Sequence, residues 1–137
     1  MPTDPGGVVR IPRPILTGVV SGIAISVSII SLNILNDAQG HAMLVAAIAT
    51  PYLVFALLDG SARSLVSEIT VMVAFVTAAF LVFDAPAWTV AIVLAAHGLW
   101  DVAHLKGGVT SHTGDYPIWC GTLDVTAAAV LVIAQAL

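Results

Sequence analysis

At 137 residues the chain has the length of one small domain, yet 59% of it is hydrophobic, only 9% is charged, and its mean hydropathy is +1.05. A water-soluble domain carries about 25% charged residues to cover its surface, so the composition excludes a soluble fold and assigns the chain to a lipid bilayer. A net charge of −4 without any basic stripe argues against a nucleic-acid partner, and the single cysteine, Cys120, excludes an internal disulfide.

Crossing the hydrocarbon takes about 17–25 helical residues. Five apolar stretches meet that length: Ile15–Leu35, Ala42–Leu58, Leu65–Phe83, Ala87–Leu105 and Ile118–Leu137. Barrel strands would be shorter and would alternate apolar with polar residues, which these do not. The expected fold is all-α, a five-helix transmembrane bundle forming a single integral membrane domain over residues 1–137.

The chain opens on MPTDPGGVVRIPRP, in which two arginines precede the first apolar run. That run is longer than the core of a signal peptide and no A-x-A site follows it, so the first span is expected to stay in place. Within it Gly18 and Gly22, with Ser26 one turn further on, form a stripe of small residues. Such a stripe permits close helix contact, either inside the chain or with another subunit of a homo-oligomer or larger membrane complex. The second span holds Pro51, which removes a backbone hydrogen bond and predicts a kink. The longest internal loop, KGGVTSHTGDYP at 106–117, is rich in glycine but lacks a phosphate-loop signature.

Four basic residues orient the bundle. Arg10 and Arg13 precede span one, Arg63 joins spans two and three, and Lys106 joins spans four and five, so all four fall on one side. The opposite loops, NDAQGH and DAP, carry none. The positive-inside rule then places the N-terminus in the cytoplasm and the C-terminus outside the plasma membrane. Trp88, Tyr116 and Trp119 lie near span ends, where aromatic rings favour the interface.

With that topology the ionisable groups segregate. Asp59 closes span two, Glu68 lies one turn into span three, and Asp124 lies about two turns into span five. His97, Asp101 and His104 occupy the cytoplasmic half of span four. The outer half keeps only the edge residues Asp37, His41 and Asp84, besides Thr50, Tyr52 and some serines. Steps of four and three residues turn a helix by about 400° and 300°, so positions 97, 101 and 104 share one narrow face. An aspartate at a helix centre costs about 2.5–3.5 kcal/mol on insertion scales, and such groups face the bundle and pair. Mutual hydrogen bonding between helices would account for a lone residue. A set drawn from four spans points to function instead.

His97 and His104 stand about 10 Å apart along the axis and cannot share one tetrahedral ion on a straight helix. Asp101 can chelate an ion with either histidine, bridge two ions, or orient a ligating histidine. The candidate metal ligands are therefore His97, Asp101, His104 and Asp124, with Asp101 and Glu68 as candidate catalytic carboxylates. Histidine with carboxylate suits zinc, non-haem iron or manganese. The expected activity is metal-dependent chemistry on a small or lipid-like substrate at a cytoplasm-facing site. Proton- or ion-coupled transport and an accessory-subunit role stay open as alternatives.

The segments HGLWDVAHLKGG and YPIWCGTLDV, roughly the last third of the chain, resemble a family of small bacterial integral membrane proteins of uncharacterised function. The resemblance carries His97, Asp101, His104, Tyr116, Pro117, Cys120 and Asp124 as motif positions, and thereby adds Tyr116 and Cys120 to Asp59 among the further polar site residues. It implies no reaction. The H-x-x-x-D-x-x-H spacing is also similar to parts of alkaline ceramidase-like hydrolases and carotenoid-cleaving oxygenases. Those enzymes use further membrane histidines, whereas the spans here hold only His97 and His104 at this depth.

Overall fold

Proline, glycine and asparagine punctuate the chain where its helices begin and end. In the computed structural model, which describes residues 11–105, 109–110 and 113–137, α1 (Arg13–Leu32) starts behind Pro12 and stops at Asn33. Asn33 has φ 46°, the left-handed region that asparagine tolerates at a helix end. The side chain of Asn36 caps α2 (Asp37–Ile48) by accepting from the Gln39 amide. A break follows at Ala49–Thr50, and α3 (Pro51–Asp59) continues the same span to Gly60 at φ 68°. Ser61 caps α4 (Ala62–Leu81), Pro86 precedes α5 (Ala87–His104), and α6 (Tyr116–Ala136) carries Pro117 in its first turn. Among the described residues there is no strand.

The expected kink is a true break. Pro51 has no N–H to offer the preceding turn. The Ala47 carbonyl is met instead by Thr50, through its amide at 3.4 Å and its hydroxyl at 2.8 Å. Two short helices thus replace one long one, and the described residues form five rods.

Four rods are long and apolar enough to cross a membrane: Arg13–Leu32, Asp37–Asp59, Ala62–Leu81 and Tyr116–Ala136. α5 is not among them. Its two histidines and one aspartate depress the hydropathy of an otherwise oily helix.

The packing has the polarity of a membrane protein. Leu81 is 78% exposed and Leu99 73%, while His41, His97, His104, Glu68 and Asp101 rank among the largest fully buried side chains. In water that distribution would leave apolar surface wet and polar groups desolvated. In hydrocarbon it is the stable arrangement.

α6 is the central rod and packs along both α5 and α1. Its approach to α1 depends on the glycine stripe. A Cβ at Gly18 would lie 2.6 Å from the Trp119 carbonyl oxygen, and one at Gly22 would lie 2.7 Å from that of Leu123. The stripe therefore seats on α6 of the same chain, and both glycines are buried in that contact. As the numbering rises on α1 it rises on α6, so the two run parallel, whereas α5 runs antiparallel to α6 with Gly98 beside Gly121. Alternating rods produce this relation when three rods separate α1 from α6.

Arg13 and Arg63 stand at the same end of the bundle, at the starts of α1 and α4. Arg10 and Lys106, the other half of the charge asymmetry, lie outside the described residues. At the opposite end His41 is no edge residue. It is fully buried, with Nδ1 2.8 Å from the Asp37 carbonyl and Nε2 3.1 Å from Ser26 Oγ, because Ser26 presents a hydroxyl from the adjoining face of α1.

Candidate functional site

Two helix faces supply most of the site. On α5, His97, Asp101 and His104 all point inward and are each about 1% exposed. On α6, Tyr116, Cys120 and Asp124 follow one another at four-residue steps and so share a face. Glycine lets the two faces meet. A Cβ on Gly121 would stand 3.2 Å from the Asp101 Cβ and 3.3 Å from its Oδ2, tighter than ordinary contact. Gly121 thus gives the Asp101 carboxylate its place at the crossing.

His97, Asp101, Cys120 and Asp124 form the centre. Each offers one ligand-type atom, all four atoms lie within 4.8 Å of one another, and all four residues are buried. His97 Nδ1 lies 2.7 Å from Asp124 Oδ2 and 3.9 Å from Asp101 Oδ2. Phe75 of α4 packs edge-on against the His97 ring at 4.8 Å between centroids, holding it from the other side.

Tyr52 of α3 completes the centre. Its hydroxyl donates to Asp101 Oδ1. Its ring stacks on His104 at 3.9 Å between centroids and meets Tyr116 edge-on at 5.4 Å. The Tyr116 hydroxyl in turn accepts from the Cys120 thiol across 3.6 Å.

His104 belongs to a second, adjoining pair. Its Nε2 lies 2.6 Å from Glu68 Oε1, and its Nδ1 lies 3.1 Å from the Trp100 carbonyl. Both ring nitrogens therefore face oxygen acceptors. The structure brings together His97, Asp101 and Asp124 from the expected ligand set and draws His104 off to Glu68. Asp59 lies further out: Ser64 Oγ is 2.7 Å from its Oδ2 and 2.9 Å from the Val109 carbonyl, at the loops closing that end.

Two carboxylate oxygens in the centre, Asp101 Oδ2 and Asp124 Oδ1, are buried without a hydrogen-bond partner. Leaving such an atom unsatisfied away from water costs about 1–3 kcal/mol, and more when it carries charge. Two of them in a cluster that also holds an imidazole and a thiol form a donor set that could hold a metal ion. Tyr52 is the residue that sequence reasoning missed as a member of this cluster; Cys120 entered only through a resemblance.

The centre defines a helical membrane protein with a buried His/Asp/Cys cluster. No protein-family model, no curated protein and no solved structure matches the chain.

Proposed function

We propose that the chain is a multi-pass membrane protein carrying out metal-dependent chemistry on a small or lipid-like substrate, with the metal held by His97, Asp101, Cys120 and Asp124. The observation that carries this reading is the pair of unpartnered buried oxygens, Asp101 Oδ2 and Asp124 Oδ1. A divalent cation would satisfy both and remove the repulsion between two neighbouring carboxylates. Imidazole, thiolate and carboxylate together suit zinc best, with iron or manganese as the harder alternatives.

A bound divalent ion would supply Lewis acidity and an acidified water. The residues around it have separate tasks. Tyr52 fixes the Asp101 carboxylate through Oδ1 and so aims Oδ2. The His104–Glu68 pair adjoins the cluster, with the His104 ring stacked on that of Tyr52, and holds that ring in place. A proton or ion conduit is less well supported. Val45, Ile48, Val90 and Leu94, all buried, separate this cluster from His41 at the other end, with no polar step between them on α2 or α5.

Elemental analysis of the full chain, extracted in detergent and purified without chelators, tests the reading. Near-stoichiometric zinc, iron or manganese is expected. A chain produced in metal-replete medium that carries no divalent metal, and acquires none on dialysis, would overturn it.

The cluster would face the cytoplasm in the plasma membrane, as the positions of Arg13 and Arg63 support. A reporter inserted at 59–62 is expected to read cytoplasmic and one at the C-terminus to read external. A cytoplasmic C-terminus would reverse or break the five-rod crossing.

A further inference from the structure

Cys120 stands between two polar neighbours on one face of α6, with Tyr116 one turn before it and Asp124 one turn after. Its side chain is fully buried, and its thiol donates to the Tyr116 hydroxyl across 3.6 Å. Three rings hold that hydroxyl where it is. Tyr52 meets the Tyr116 ring edge-on at 5.4 Å between centroids, Phe55 lies at 5.2 Å and Trp119 at 5.6 Å. Packing therefore places Tyr116 independently of the thiol. A phenol can donate as well as accept, and among the described residues no acceptor takes the Tyr116 proton.

A metal ion changes what Cys120 offers. Binding replaces its S–H bond with a sulfur–metal bond and sends the proton to solvent, because the thiolate is the ligand. The donation to Tyr116 is then lost, and the hydroxyl faces a buried anion. Charge makes this consequential. Histidine ligates as the neutral ring, so Asp101, Asp124 and Cys120 together carry one negative charge more than a divalent ion neutralises, in residues at most 1% exposed. Excess charge in so dry a place is stabilised by donors aimed at it. Tyr52 already aims one at Asp101 Oδ1 from the α3 side. Tyr116 is the hydroxyl within reach of the sulfur.

We propose that Tyr116 is the positioning residue of the Cys120 ligand: when an ion binds, the hydrogen bond between them reverses and the phenol O–H donates to the metal-bound sulfur. The reversed bond draws electron density from the sulfur, so Cys120 donates less to the ion and leaves it the stronger Lewis acid. Tyr52 and Tyr116 thus act as a pair, each relieving one anionic ligand.

This inference rests on the metal reading, and its test separates the two. The full chain is purified in detergent, freed of metal and loaded with cobalt(II), whose bond to a thiolate gives a near-ultraviolet absorption band that carboxylate and imidazole do not give. Cys120→Ser is expected to abolish that band, which assigns it to this sulfur. Tyr116→Phe is expected to move it to longer wavelength, because a sulfur without the hydrogen bond holds its electrons less tightly. Cobalt affinity should fall with it by about 10–100-fold, the range for groups that act through a ligand. Phenylalanine keeps the ring contacts, so a purely structural role for Tyr116 leaves the band where it was. Placing 3-fluorotyrosine at position 116, a stronger donor in nearly the same space, should move the band the other way, and it tests the same bond should Tyr116→Phe fold poorly. A chain that binds no cobalt overturns the metal reading and this inference together. Cobalt bound without the band, or with a band that Cys120→Ser leaves unchanged, removes Cys120 from the centre and overturns the inference while the metal stays. A Cys120 band unmoved by both changes at Tyr116 overturns the inference alone.

Discussion

Asp101→Asn is expected to strip the protein of bound metal while its helices stay packed. The amide has the shape of the carboxylate, and its carbonyl oxygen can still accept from Tyr52 where Oδ1 does now. In place of Oδ2, however, it turns an NH₂ donor toward His97, Cys120 and Asp124, and an amide nitrogen does not bind a cation. Changing a group that merely orients a ligand costs about 10–100-fold in metal affinity. Losing a ligand, and a negative charge with it, should exceed that. Tyr52→Phe supplies the comparison, because it removes the orienting hydrogen bond alone and should fall within the smaller range. Competitive metal titration of the purified variants, with thermal unfolding in detergent to verify folding, measures both. Wild-type affinity in Asp101→Asn would show that the centre does not include Asp101.

His104→Leu is expected to be among the most destabilising single changes in the chain. It leaves the Glu68 carboxylate, which is 2% exposed, without its 2.6 Å partner. Removing one member of a buried pair costs about 3–5 kcal/mol, because the survivor stays desolvated and unpaired. The double variant Glu68→Leu with His104→Leu should recover much of that loss, since no charge is then stranded. Unfolding midpoints for wild type, both single variants and the double variant close the cycle. If the single variants are as stable as wild type, water or another group must satisfy Glu68.

The helices were legible in the sequence because proline, glycine and long apolar runs act locally. Each of the expected spans overlaps a rod, and the largest shift is in the second, which starts at Asp37 rather than Ala42. The inward face of α5 was legible too, since residues 97, 101 and 104 had nowhere else to point in lipid. The partnerships were not. Tyr52 read as an isolated polar residue of the outer half, yet it stands seven residues before the end of its helix, as His97 does before the end of α5. Equal distances from the same end give equal depth, and only the neighbouring of α3 and α5 turns equal depth into contact. His104 similarly offered no sign that both its nitrogens would be occupied, because that depends on how α4 and α5 cross.

The meeting of α5 and α6 at Gly98 and Gly121 also bears on how the protein is made. α5 is the rod that does not qualify as a span by its own hydropathy, and α6 carries its own buried aspartate. Released singly into lipid, each would expose a carboxylate, at a cost of about 2.5–3.5 kcal/mol for a centrally placed aspartate. Packed as an antiparallel pair, they bring His97 to Asp124, with the two glycines letting the backbones close. In that pairing neither helix needs to present its aspartate to lipid alone.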